Sequence, residues 1–249
     1  MEIPKSEIEN KSEIVIRKSK IYTHIFFDLD HTIWDFDKNA EETLYELYDV
    51  YRLSEIGLPS AAIFIETYTR NNHQLWADYH TGKISKAELR ETRFRKTFLD
   101  LGVQPDLIPL AFEDDYVQLC PTKTNLFPHA HETLRYLKNK YTLHLISNGF
   151  KESSELKIGK TNIDSYFQHV IISETVGVNK PDKAIFEHAL NLAGAEKNES
   201  LMIGDSLEAD VYGALNFGID AIYFNPFNLP KPNDVPLQVT HLKELTLIL

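Results

Sequence analysis

One short apolar run near the N-terminus, Thr23-His24-Ile25-Phe26-Phe27-Asp28-Leu29, is cut off from every later strand-like run by a long stretch of helical pattern. The run is too short for a helix and rich in β-formers, so it predicts a buried strand. After it, Leu44, Leu47, Tyr48 and Tyr51 recur at helical spacing. Ile63, Tyr68, Leu75, Trp76 and Tyr79 do the same behind the N-cap candidate Ser60. Gly82 ends that helix, and Ser85-Lys86-Ala87-Glu88 is a capping box that opens another. Asp106 is expected to cap a fourth helix running to about Leu119. Residues 37–121 therefore read as an all-helical insertion, and most of the chain's acidic excess lies in it.

From Pro128 the texture changes. A helix over 130–139 precedes the strand-like Thr142-Leu143-His144-Leu145-Ile146-Ser147. Further strands are predicted at 169–173, 201–204 and 220–224, with helices starting at Asp182 and Ser206. Asn225 to Pro236 reads as a loop before a final strand or helix. Alternating strands and helices specify an α/β protein with a Rossmann-like parallel sheet covered on both faces. Residues 21–36 and 122–249 are assigned to this core. Residues 1–20, with five basic and four acidic side chains and little periodicity, read as a mobile extension. Right-handed crossovers would bring all strand C-termini to one edge, where open α/β sheets bind ligands.

Composition narrows the partners. The 249 residues carry a formal charge of −11 and no basic block, which disfavours nucleic-acid polymers and anionic membranes. Cys120 is the only cysteine, so no internal disulfide can form. No apolar run approaches the roughly 20 residues of a membrane span, and the first residues lack a signal-peptide core. A soluble, cytoplasmic protein is expected. The same acidity argues, at first sight, against a phosphorylated substrate.

The polar residues at the strand ends reverse that impression. The first strand ends in Asp28-Leu29-Asp30-His31-Thr32, the second in Ser147-Asn148-Gly149, and the fourth in Gly204-Asp205-Ser206 with Asp210 following. Lys180-Pro181 precedes the helix at Asp182. On parallel strands these groups converge. Asp28, Asp30 and Asp205 together would repel one another if ionised and unpaired; such a cluster either raises a pKa or holds a cation, and oxygen donors with room for water suit Mg²⁺. Such a cation and Lys180 would neutralise an incoming phosphoryl group, with Ser147, Asn148 and backbone N–H groups as donors to its oxygens. Asp28 can then act as nucleophile, and Asp30 can protonate the leaving oxygen and later activate water.

In order and separation, Asp28-x-Asp30-x-Thr32, Ser147-Asn148-Gly149, Lys180-Pro181 and Gly204-Asp205 with Asp210 resemble the four motifs of the haloacid dehalogenase-like (HAD) hydrolases, over about residues 21–245. The resemblance implies that Asp28 forms an aspartyl-phosphate and ligates Mg²⁺. It implies that Asp30 is the acid/base whose backbone carbonyl meets the metal, and that Asp205 is a metal ligand. Thr32 would steady the first loop, Ser147 and Lys180 would bind phosphate, and Asp210 would support the metal or Lys180. The helical insertion matches the subfamily I cap, which closes over the site. Dehalogenating members generally lack a carboxylate at the Asp30 position, so its presence favours phosphoryl chemistry. Many relatives have Gly where this chain has His31.

Phe27-Asp28-x-Asp30-x-Thr32, Leu75-Trp76-x-x-Tyr79-x-x-Gly82-x-Ile84 and Ile172-Ser173-Glu174-x-Val176-Gly177-Val178 further resemble the noncanonical-pyrimidine 5′-nucleotidases of this superfamily. That group often has Pro-Gly where this chain has Pro128-His129. The resemblance implies a pyrimidine nucleoside monophosphate as substrate. Trp76 and Tyr79 are candidates for stacking the base, although an aromatic stripe on a helix packs a core by default. Rival readings are a phosphatase, pyrophosphatase or phosphomutase for another small phosphorylated metabolite, and a non-catalytic binding protein on the same fold.

Overall fold

A computed structural model of the chain describes residues 22–249. The extension read over residues 1–20 lies outside the described residues. Six strands form one sheet: β1 (His24–Phe27), β2 (Thr142–Ser147), β3 (His169–Ile172), β4 (Ser200–Gly204), β5 (Asp220–Phe224) and β6 (Gln238–Val239). Their spatial order is β3-β2-β1-β4-β5-β6, and every neighbouring pair is parallel. Hydrophobic content dictates the centre. Ile25, Phe26 and Phe27 of β1 are essentially unexposed, as a strand covered on both faces requires. Phe26, Ile146, Ile171 and Met202 share a core with Ile185, Phe186 and Ala189 of a covering helix.

Between β1 and β2 lie the helices α1 (Phe36–Val50), α2 (Ala61–His80), α3 (Lys86–Asp100), α4 (Phe112–Leu119) and α5 (Ala130–Lys138). After β2 come α6 (Lys151–Thr161) and α7 (Lys183–Ala193), and Gly213–Phe217 forms α8. Three of the predicted helix starts are capped as expected. Ser60 Oγ accepts from the Ile63 N–H, Ser85 and Glu88 form the reciprocal capping box, and Asp182 accepts from the Ala184 N–H. The helix expected from Asp106 is a correction. Only a short 3₁₀ turn spans Pro105–Leu107, and α4 starts at Phe112. Pro109 holds Ile108 in an extended conformation (φ −68°, ψ 122°) and so blocks a helix through that point.

The chain divides into two compact units. One holds residues up to Ile33, Leu126–Gly149 and Asn162–Leu249; the other holds Trp34–Asn125 and Phe150–Thr161. The second unit thus includes α6, which the sequence reading placed with the sheet. The physical reason is aromatic. Phe150, just ahead of α6, packs on Trp76 (5.1 Å) and Tyr79 (5.6 Å), and the Lys157 ammonium of α6 sits 4.2 Å from the Trp34 ring. No helix among the described residues is long and apolar enough to cross a membrane.

Candidate active site

The strand register sets the site. Phe27 lies opposite Leu145 and Ile203, and the Asp28 N–H donates to the Ile203 carbonyl (2.9 Å). Asp28, Ser147 and Asp205 therefore leave three adjacent strands within a residue or two of the same level. With strands about 4.8 Å apart, their side chains can meet.

Lys180 is at the centre. It is 1% exposed, and its ammonium donates three hydrogen bonds: to Asp28 Oδ1 (2.6 Å), Asp210 Oδ1 (2.6 Å) and the Ile146 carbonyl (2.8 Å). Three N–H groups meet three acceptors, so the ammonium is saturated. Burial alone would lower its pKa, but the charges of Asp210 and Asp28 more than offset that and raise it.

Asp28, Asp205 and Asp210 each bring a carboxylate oxygen within 4.8 Å of the others. Burial raises the Asp28 carboxyl well above the ordinary carboxylate range. Lys180 opposes the shift, while Asp210 and Asp205 add to it. Burial, reinforced by Asp210, pushes Asp205 up to about 8. One ammonium does not balance three acids, and the deficit is what a divalent cation would fill. Asp30, two residues past Asp28, is partly buried, and its carboxylate is not part of this cluster.

Local structure explains how each acid is held. The Thr32 hydroxyl donates to Asp205 Oδ1 (3.2 Å) and accepts from the Asp205 N–H (3.1 Å), which ties the first loop to the fourth. Asp210 sits in a π-helical turn, Leu207–Tyr212, capped by Ser206 where an ordinary helix start was expected. Such turns concentrate at functional sites. The Ser206 N–H donates to Asp210 Oδ2 (3.1 Å). Gly204 is needed here, since a Cβ on it would lie 2.2 Å from that same oxygen. Gly204 and Ser206 stand in the fourth motif, but the sequence reading gives neither a role in holding Asp210. The Gly immediately before Asp205 was the available signal, because a strand-end glycine marks close approach of another group.

Three expectations meet a different outcome or remain unengaged. Asn148 was expected on the phosphate, but its carboxamide is committed to Lys180. Its Nδ2 donates to the Lys180 carbonyl (2.9 Å), and its Oδ1 accepts from the Lys180 N–H (2.8 Å). Ser147 Oγ accepts from the Gly149 N–H (3.0 Å), and its hydroxyl keeps a hydrogen to donate. Trp76 and Tyr79, offered as base-stacking residues, pack with Leu75, Ile84, Leu89 and Phe150 in a satellite core of the helical unit. The Trp76 indole N–H is buried there without an acceptor among the described residues.

A doubly wound parallel sheet, a helical insertion after its first strand, and an acid cluster around a buried lysine at the strand ends define a class of α/β hydrolase. The haloacid dehalogenase-like hydrolase family model matches residues 22–218, and the chain belongs to that family. Among curated proteins, it is 35% identical over 210 residues to the pyrimidine 5′-nucleotidase PynA of Streptococcus pneumoniae, covering 84% of this chain and 86% of PynA. It is 39% identical over 202 residues to a glyceraldehyde 3-phosphate phosphatase of Methanothermobacter thermautotrophicus, covering 81% and 84%. Among solved structures, it matches the magnesium-bound Bacillus subtilis protein YfnB with a TM-score of 0.81 at 25% identity, covering 92% of this chain and 99% of that one.

Proposed function

We propose that the chain is a Mg²⁺-dependent phosphomonoesterase acting on pyrimidine nucleoside 5′-monophosphates through an aspartyl-phosphate. The observation that carries the chemistry is the buried imbalance of Asp28, Asp205 and Asp210 against Lys180. The donor set is all oxygen, which fits a hard divalent cation. Asp28 and Asp205 would hold Mg²⁺ through carboxylate oxygens and Asp30 through its backbone carbonyl, with Asp210 supporting. When bound, the ion supplies positive charge against the phosphoryl oxygens.

The chain's own residues do the rest. Lys180 holds Asp28 Oδ1, which leaves Oδ2 to attack phosphorus. The bond from phosphorus to the ester oxygen breaks as Asp30 gives that oxygen a proton, releasing the nucleoside. Water then attacks the phosphorus of the aspartyl-phosphate, Asp30 takes its proton, and Asp28 is regenerated with free orthophosphate. The Ser147 hydroxyl donates to a phosphoryl oxygen throughout.

Similarity to PynA supports the nucleotide as substrate. Similarity to the archaeal glyceraldehyde 3-phosphate phosphatase favours a second reading, a small sugar or triose phosphate. The deciding experiment is orthophosphate release from UMP, dUMP, dTMP, purine nucleotides, sugar phosphates and pyrophosphate, each with Mg²⁺ and with EDTA. Pyrimidine nucleotides are expected to dominate kcat/KM. A flat response to nucleotides with turnover of sugar phosphates would select the second reading.

A further inference from the structure

We infer that the Asn148 side chain positions Lys180 and is not itself a ligand of the phosphate. Its carboxamide bridges the two backbone polar groups of Lys180, donating to the carbonyl at 2.9 Å and accepting from the N–H at 2.8 Å. The ammonium end of the same residue donates to the carbonyl of Ile146, two positions before Asn148. One short segment, Ile146 to Asn148, therefore holds Lys180 at both ends. Lysine is otherwise a flexible stem carrying a point charge. Here that charge must stay between Asp28 and Asp210, each 2.6 Å away. Coulomb energy is steep at such range in a buried site, so a small drift of the ammonium would strand one carboxylate.

The clamp requires the amide. An aspartate at 148 could accept from the Lys180 N–H, but its second oxygen would face the Lys180 carbonyl, acceptor against acceptor. An alanine would leave both buried backbone groups unpaired. Asn148 itself is 7% exposed and Lys180 is 1% exposed, so water is a poor substitute. The loop that delivers Lys180 leaves a short helical turn through Gly177, whose φ is 90°, and runs to the Asp182 cap of α7. Asn148 pins this loop midway to the end of β2.

The kinetic part of the test rests on the phosphatase reading; the spectroscopic part does not. The kinetic part is a double-mutant cycle with p-nitrophenyl phosphate and Mg²⁺ as generic probes. Asn148→Ala is expected to lower kcat roughly 10- to 100-fold in the wild-type background, but less than about 3-fold in a Lys180→Met background. A phosphate ligand would lose the same factor in both, and that result would overturn the inference. Lys180→Met keeps the stem's volume, and circular dichroism checks its folding. If its turnover falls below detection, NMR hydrogen exchange decides. The Lys180 backbone N–H should be protected in wild type, exchange about tenfold faster in Asn148→Ala, and be only partly restored in Asn148→Asp. An unchanged Lys180 N–H, or an Asn148 side-chain amide resonance that shifts in step with orthophosphate saturation, would sink the clamp. A wild-type protein that turns over no phosphomonoester would instead defeat the function proposed above and leave the exchange result standing.

Discussion

Two buried cations, Lys180 at the sheet edge and Arg93 in the helical unit, show how charge balance separates chemistry from scaffolding. Arg93 donates to Glu113 through two nitrogens, at 2.8 and 2.7 Å, and Arg90 donates to the same carboxylate at 3.1 Å. The guanidinium also lies 4.8 Å from the Tyr116 ring. Arg90 also donates to Asp114 (2.9 Å), so two cations there meet two anions and the charges balance. Lys180 meets Asp28 and Asp210 directly, with Asp205 completing the cluster. Net charge alone does not separate the two regions, since the more acidic one in sequence is the balanced one. A buried imbalance identifies a site, and a buried balance identifies a support.

The largest effect should come from Asp28, the nucleophile of the proposed mechanism. Asp28→Asn is nearly isosteric but cannot attack phosphorus. It is expected to lower kcat by roughly 10⁴-fold or more, as loss of a covalent nucleophile does, with melting temperature unchanged or raised. Single-turnover assays and thermal melts check both halves. Retention of near-wild-type turnover would break the assignment of chemistry to the sheet edge.

The opposite pattern is expected at Arg93. Glu113→Ala strands a guanidinium that is 5% exposed, and such a change costs about 3 kcal/mol. Urea unfolding should show that loss, while kcat of the folded fraction at low temperature stays near wild type. A large fall in kcat without a fall in stability would show that the helical network does more than support.

Much of this contrast was legible in sequence, and the unread part has a common cause. Strand runs, caps and the ordered acids are local patterns: Phe26 and Phe27 in an apolar run, Ser85 three residues before Glu88, Asp30 two after Asp28. The Asn148 clamp is not local. Its partner is a backbone amide 32 residues away, and a backbone amide has no letter in a sequence. The Asp210 carboxylate against Gly204 is similar, because it depends on a π-turn that periodicity does not report. The helix expected from Asp106 failed for the reverse reason, a local Pro109 overriding a local cap.

The imbalance should also be visible as pH dependence without substrate. An unfolded Asp titrates near 3.9, while folded Asp205 is pushed up to about 8. Between those values the folded state binds more protons than the unfolded one, so stability should fall as pH rises through the window. Asp28, also raised, adds to the same slope. A divalent cation competes with those protons. The gain in melting temperature on adding Mg²⁺ over EDTA should therefore grow from about pH 5 to pH 8, and Asp205→Asn should shrink it. A Mg²⁺ gain independent of pH would show that the acids are already ionised in the metal-free fold.

The smallest effect concerns the backbone at two histidines. His31 (φ 61°) and His129 (φ 67°) occupy the left-handed region, which favours glycine. A side chain there crowds the following carbonyl, at roughly 1–2 kcal/mol, whereas glycine pays only its larger unfolded-state entropy. His129 precedes α5 and makes an exposed contact from Nδ1 to Glu132 (2.9 Å), which glycine would forfeit at a few tenths of a kcal/mol. His129→Gly should therefore stabilise the protein by about 0.5 kcal/mol in urea unfolding. His129→Ala keeps the Cβ and loses the Glu132 contact, so it should stabilise nothing. Equal behaviour of the two variants would mean that the histidine is held by its side chain and not tolerated by its backbone.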